Sequence, residues 1–188
     1  TGNVLADLLI GKANPSGRLS MSFPMSVGQI PVHYNTYRTG RPANGQKIRF
    51  VSGYLDCENE ALFPFGFGLS YSQFVYRDMA VERVADGSDV VAKARITVEN
   101  VSDIAGKETV QLYIRDVVAQ VVRPVKELRG FRKIHLEAGA CQTVEFEITR
   151  QMLSYWDQNN HFIFEPGAFE IMMGRNSADT ESVTISLP

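Results

Sequence analysis

Residues 74–188 predict a mainly β domain, an antiparallel sandwich of two sheets. Three observations carry the prediction. Apolar and polar residues alternate in five runs: Val90 to Glu99, Val110 to Arg115, Val144 to Ile148, Phe169 to Met173 and Val183 to Leu187. That is the period of a strand with one buried and one solvated face. Turn-forming stretches separate the runs: NVSDIAG at 100–106, EAG at 137–139, DQNN at 157–160 and EPG at 165–167. The spacing gives about seven strands, the number of an immunoglobulin-like sandwich. Cys57 and Cys141 are not placed for the inter-sheet bridge of antibody domains, so a fibronectin type III-like variant fits better.

The elements ahead of the sandwich follow in order. Val4, Leu5, Leu8 and Leu9 fall at helical spacing and Gly11 follows as a stop, so Asn3 to Ile10 reads as the end of a helix. NPSG at 14–17 reads as a turn. In LSMSF at 19–23, Leu19, Met21 and Phe23 share one face, a short strand ended by Pro24. One helix and one strand cannot bury their own apolar faces. Residues 1–24 are therefore expected to be the C-terminal remnant of an α/β sandwich domain, with Thr1 an internal cut or a fragment start. Residues 25–73 are expected to be a linker and domain-docking segment, because 25–61 has little periodicity and so long an irregular stretch is uncommon inside a compact domain.

The run LFPFGFGLSY at 62–71 is too apolar for a surface loop and too rich in Gly and Pro for a strand or helix. It reads as a buried structural hinge. Pro64 is expected to hold the chain extended, and Gly66 and Gly68 to let the backbone pass close to packed surface. Phe63, Phe65, Phe67 and Tyr71 are expected to seat the sandwich. Within the sandwich, Phe131, Phe146, Phe169 and Ile171 are expected in the core, and Arg123 and Glu127 to pair or to contact the linker.

The chain has 188 residues, 44% hydrophobic and 21% charged, with a net charge of -2. That is ordinary globular composition, and it lacks the clustered basic face of a nucleic-acid binder. No apolar run reaches the ~18 residues of a spanning helix. The two cysteines read as free thiols, with one disulfide as the alternative. Asp56, Glu58 and Glu60 form the densest acidic cluster, and a solvated loop is the favoured reading over a catalytic pair. His33, His135 and His161 have no metal-ligand spacing, and His135 reads as a strand residue. GFGLSY at 66–71 lacks the third Gly of a dinucleotide loop, and GKANPSG at 11–17 lacks the Ser or Thr of a P-loop. Asn100-Val101-Ser102 matches a glycosylation acceptor, a pattern frequent by chance. Tyr113, Tyr155 and Trp156 are candidates to stack on sugars; plugging the sandwich edge or a domain interface is the favoured reading. No self-contained active site emerges, and neither cofactor nor metal is called for.

Five segments occur together in order: NVLADLLIGKANPSGRLSMSFPMSVGQIPVHYN, TGRP at 39–42, LFPFGFGLSYSQF, RPVKELRGFRKIHLEAG at 123–139 and EPGAFEIMMG at 165–174. Together they resemble the C-terminal part of glycoside hydrolase family 3, and most of all bacterial periplasmic β-glucosidases. The resemblance implies a parent with a barrel domain, an α/β sandwich domain and a C-terminal fibronectin type III-like domain. It implies retaining hydrolysis of terminal β-linked glucose, sometimes xylose, and a periplasmic or secreted location. The implied nucleophile Asp lies in the barrel and the implied acid Glu lies upstream of Thr1, so no catalytic residue carries over and the substrate-binding residues stay unknown. Where members often have Arg-Tyr-aromatic-Asp, this chain has Gly53-Tyr54-Leu55-Asp56, which puts any contact of that Arg in doubt. The implied partners are the upstream catalytic domains and the parent's oligosaccharide or glycoside substrate, with no nucleic acid and no membrane insertion. The chain then reads as a non-catalytic stabilising and docking region. A carbohydrate- or surface-binding module and a passive spacer are the alternatives.

Overall fold

The computed structural model describes residues 2–42, 45, 48, 50–85 and 87–188. Helix α1 spans Gly2–Leu9 and ends where Gly11 takes a φ of 75°, the left-handed cap that glycine adopts without strain. A single 3-10 turn, Val27–Gln29, is the one regular element before the strands begin. The main strands are β1 (Phe74–Arg83), β2 (Val90–Asn100), β3 (Gly106–Asp116), β4 (Glu127–Leu136) and β5 (Cys141–Thr149). After a short helix α2 (Arg150–Leu153) and a small hairpin, β6 (Tyr155–Trp156) with β7 (Phe162–Ile163), come β8 (Gly167–Gly174) and β9 (Thr180–Leu187). Two antiparallel sheets result, in the orders β1-β2-β5 and β4-β3-β8-β9.

Between the sheets lie the inward residues of each alternating run. Ala92, Ala94, Ile96 and Val98 of β2 meet Val144, Phe146 and Ile148 of β5 on one side. Val110, Leu112 and Ile114 of β3 and Phe169, Ile171 and Met173 of β8 close the core on the other. Phe146, Phe169 and Ile171 are buried as expected.

Phe131 is not. It is 69% exposed, and the register explains why. In β4, Gly130 stands opposite Leu112, while Phe131 stands opposite Gln111 on the outer face. A side chain at Gly130 would press on the Phe146 ring, 3.2 Å away, so the ring from the facing sheet fills that place.

The expected solvated outer face fails at β3. Gln111 and Tyr113 should point to water by alternation, yet both are buried. Residues ahead of the sandwich cover them. Tyr34 stacks on Phe65 at 4.3 Å between ring centroids and meets the edge of Tyr113 at 5.8 Å. The sandwich therefore carries a third layer of irregular chain over one sheet.

The expected strand 19–23 does find a partner, in the aromatic run 63–67. Leu19 and Phe23 exchange backbone hydrogen bonds with Gly66, Phe67 and Phe63. Only Phe23 and Phe63 form a true bridge. Pro64 does not hold this run extended; it opens a turn closed by Phe67 N–H to the Pro64 carbonyl at 3.1 Å, with Gly66 at φ 80°. A positive φ at the third residue is the demand of a type II turn.

Core burial sets the first expectation. Phe169→Ala should cost ~3 to 5 kcal/mol of unfolding free energy in urea titrations. Phe131→Ala should cost about 0.5 kcal/mol or less.

Candidate functional site

The described residues bring most of their buried polar chemistry to one place, the seam between residues 14–72 and the sandwich. Asn14, in the NPSG turn, sits at its first corner. Its amide nitrogen donates to Ser72 Oγ at 2.8 Å and to the Ala105 carbonyl at 3.0 Å. Its amide oxygen accepts from Ser70 Oγ at 3.0 Å and from the Tyr71 N–H at 2.9 Å. Buried Ser72 passes its own proton to the Ile104 carbonyl at 2.8 Å. One side chain thus ties the turn, the hinge and the β2–β3 loop.

Arg18 supplies the second anchor. Its guanidinium reaches the Glu108 carboxylate at 2.6 Å, with both side chains largely buried. Glu108 also accepts from Tyr76 Oη at 2.8 Å. Burial, and then the Glu108 carboxylate, push the Tyr76 phenol far up, so it stays a donor. The third anchor is Gln111, whose amide donates to the carbonyls of Gly66 at 3.1 Å and Arg175 at 2.6 Å. Its oxygen accepts from Tyr113 Oη at 2.5 Å, and burial raises that phenol's pKa too. Gly66 and Gly68 are required here, because a Cβ at the first would strike Gln111 and at the second the Gly17 carbonyl and Arg18.

The long irregular stretch has an internal anchor as well. Gln29 is buried and donates to the carbonyls of Glu58 at 3.0 Å and Glu60 at 2.8 Å, while accepting from the Met25 N–H. Tyr54 Oη donates to the Gln29 carbonyl at 3.1 Å. Beside it, Asn59 fills the space a side chain at position 53 would take.

A second polar network closes the other end of the sandwich. Glu127 accepts from Arg123 at 2.6 Å and Arg129 at 3.0 Å. The expected Arg123–Glu127 pair is therefore present. Arg123 also lies 4.7 Å over the Tyr155 ring. The Tyr155 hydroxyl donates to Glu165, which holds that carboxyl below its usual range. Burial pushes the nearby Asp116 carboxyl up, with Arg123 offsetting part of the rise. Lys126 donates to the Ser177 carbonyl, and burial lowers its pKa.

The other sequence candidates are dispersed. Asp56, Glu58 and Glu60 are exposed on the surface loop. His33, His135 and His161 are exposed and lie on separate segments. Among the described residues no group of three or more His, Cys, Asp and Glu side chains is placed to hold a metal. Cys57 and Cys141 are free thiols. Asn100 is wholly buried and cannot accept a glycan; its amide donates to the carbonyls of Ile104, Leu136 and Glu137. Ser102 donates back to it at 2.6 Å, so the acceptor pattern is a turn lock. Tyr113 and Tyr155 are buried, whereas Trp156 is 64% exposed. In the hinge, Phe65 and Phe67 are half-buried, but Phe63 and Tyr71 are exposed. Tyr71 Oη instead caps α1 at the Leu8 carbonyl.

Comparisons with known proteins follow the same division. Residues 1–71 match the glycosyl hydrolase family 3 C-terminal domain, and residues 108–177 match the fibronectin type III-like domain. The chain belongs to glycosyl hydrolase family 3. A periplasmic beta-glucosidase of Salmonella typhimurium is 42% identical over 99% of this chain and 24% of its own length. Thermostable beta-glucosidase B of Acetivibrio thermocellus is 37% identical over 98% and 25%. A beta-glucosidase from Listeria innocua solved in complex with glucose superposes with a TM-score of 0.90 at 44% identity, over 98% of this chain and 26% of that one. The chain thus spans about a quarter of the length of these family members. In this family member, the match to the C-terminal domain stops just before Ser72 and β1, so the seam joins the two matched regions.

Two outcomes test the networks. Arg18→Met leaves Glu108 buried without its cation and should cost ~3 to 5 kcal/mol in chemical denaturation. Asp116 behaves differently. Its folded pKa lies above the unfolded value of 3.8, so the folded state binds more protons between the two and stability falls as pH rises through that window. Asp116→Asn should therefore raise the thermal midpoint at neutral pH and lose that advantage below the unfolded pKa.

Proposed function

We propose that the chain is the C-terminal, non-catalytic stabilising and docking region of a retaining β-glucosidase. The parent hydrolyses terminal β-linked glucose from oligosaccharides or glycosides. In this reading residues 1–24 complete an α/β sandwich domain, 25–73 link and dock, and 74–188 brace as a fibronectin type III-like domain. The observation that carries it is the seam. The family-matched segment and the sandwich satisfy each other's buried polar groups through Asn14, Arg18–Glu108 and Gln111, and a passive spacer needs none of these.

The catalytic carboxylates belong, in this reading, to upstream catalytic domains of the same parent. Those domains also cover apolar side chains left open here, such as Val4, Leu5 and Leu9 of α1, Val27 and Leu55. Exposed apolar area of this kind marks a contact surface. The partners are those domains and the glycoside substrate, with no nucleic acid and no membrane insertion. The name of the Salmonella relative supports a periplasmic or secreted location.

An aryl-β-glucoside assay on this chain alone should show no turnover above the blank, and any turnover would sink the non-catalytic reading. In the full-length parent, deleting residues 74–188 should lower the thermal midpoint before the chemistry of the surviving folded enzyme changes. An unchanged midpoint would favour the spacer. A carbohydrate-binding module keeps one observation in its favour, the exposed rings of the β6–β7 hairpin.

A further inference from the structure

Trp156 is the single tryptophan of the chain, and it stands 64% exposed at the hairpin. Phe162, 48% exposed, lies across from it with ring centroids 5.4 Å apart and planes tilted by 48°. Neither ring contributes to the core between the sheets. The backbone that presents them is held stiffly. The Asp157 carboxylate accepts the N–H groups of Asn159 and His161, each at 2.8 Å, and Asp157 N–H donates to the His161 carbonyl at 2.9 Å. At the base, Tyr155 is buried and tied to Glu165. A pre-set pair of rings loses little entropy when something binds.

The chemistry around the rings narrows the ligand. The run YWDQNNHFI has no Lys or Arg, and its one carboxylate is spent on the turn's own backbone. Backbone hydrogen bonds to the carboxylate hold Asp157 ionised, below its usual range. What the turn offers outward are exposed amides, Gln158 and Asn160, and the imidazole of His161. Aromatic faces with a few uncharged hydrogen-bonding groups suit a ligand with an apolar C–H face and a rim of hydroxyls. A protein partner would need a wider apolar core than two rings.

We propose that the β6–β7 hairpin is a binding site for β-glucan, with one pyranose face stacked on Trp156 and the next contact made by Phe162. The choice of β-linked glucose rests on the β-glucosidase reading above, whereas the rings and the uncharged turn call for a pyranose as such. The site would hold the parent near polymeric or oligomeric glucoside without taking part in bond cleavage.

The 188-residue chain is run in native gels containing laminarin, hydroxyethylcellulose, xylan or glycogen, and titrated with laminaritetraose while Trp156 emission is followed. Because no other tryptophan exists, the emission reports this hairpin alone. The expected result is retardation by laminarin or hydroxyethylcellulose and a saturable blue shift. Trp156→Ala and Phe162→Ala should each weaken binding roughly tenfold at an unchanged thermal midpoint. Trp156→Phe should keep part of the affinity and guards against a folding defect in the alanine variant. Unretarded migration on all four polymers with a static spectrum overturns the site, and leaves the β-glucosidase reading to the parent's own assay. Retardation that survives both alanine variants overturns it, since the binding then lies elsewhere. Retardation by xylan or glycogen alone overturns the assignment to β-glucan. A dimer in sedimentation that Trp156→Ala dissolves overturns it in favour of a second copy of the chain.

Discussion

The outer face of β3 is the constraint on which the rest of the architecture depends. A central strand of a sandwich ordinarily turns one face to water, where a Gln or a Tyr hydroxyl is satisfied for nothing. Here Gln111 and Tyr113 are sealed under Tyr34, Phe65 and Gly66, so their hydrogen bonds must be made inside the protein. An unmet buried donor or acceptor costs about 1 to 3 kcal/mol. The covering chain has the converse problem. It forms no sheet of its own, and its carbonyls at Gly66 and Gly17 approach packed side chains closely. Each half therefore completes the other.

The same logic runs along the whole seam. Lys133 donates to Ser16 Oγ near one end of β4, and Leu128 N–H donates to Tyr34 Oη near the other. Residues 16–34 are thereby laid along the sheet edge. Beyond them, Thr36 and Tyr37 meet Val125 and Pro124 through a backbone hydrogen bond and a bridge, and the chain turns back towards the hinge. The irregular stretch is thus ordered by pairwise anchors at intervals, with Gln29 serving inside it. For a region of the family matched across two domain descriptions, this makes the junction a packed interface in place of a tether.

Much of the sandwich was legible before any coordinates. Strict alternation places Val110, Leu112 and Ile114 inward whatever covers the other face, because the strand period of two is a backbone property. Gly66 and Gly68 were legible for a similar reason, since glycine is where backbones approach closely. The misreadings share a cause. Phe131 looks like core by type, but pairing register assigns faces, and register rests on a bulge at Arg129 that no local pattern announces. Asn100 looks like an acceptor by tripeptide, while three carbonyls from separate segments define its surroundings. Tyr113 and Trp156 look alike in a list of aromatic strand residues, and end at opposite extremes of exposure.

By itself, then, the sequence determined the number and type of strands, the inward set of each, the turns between them and the family of the chain. These follow from local backbone periodicity and from motif order, both of which are written along one dimension. Only the tertiary structure decided that β3 is buried on both faces, that Arg18 answers Glu108 across ninety positions, and that the hairpin rings of Trp156 and Phe162 face solvent. Those outcomes depend on which distant segments come to lie against one another. Burial of a polar group is settled by its neighbours in space, and alternation along the strand says nothing of them.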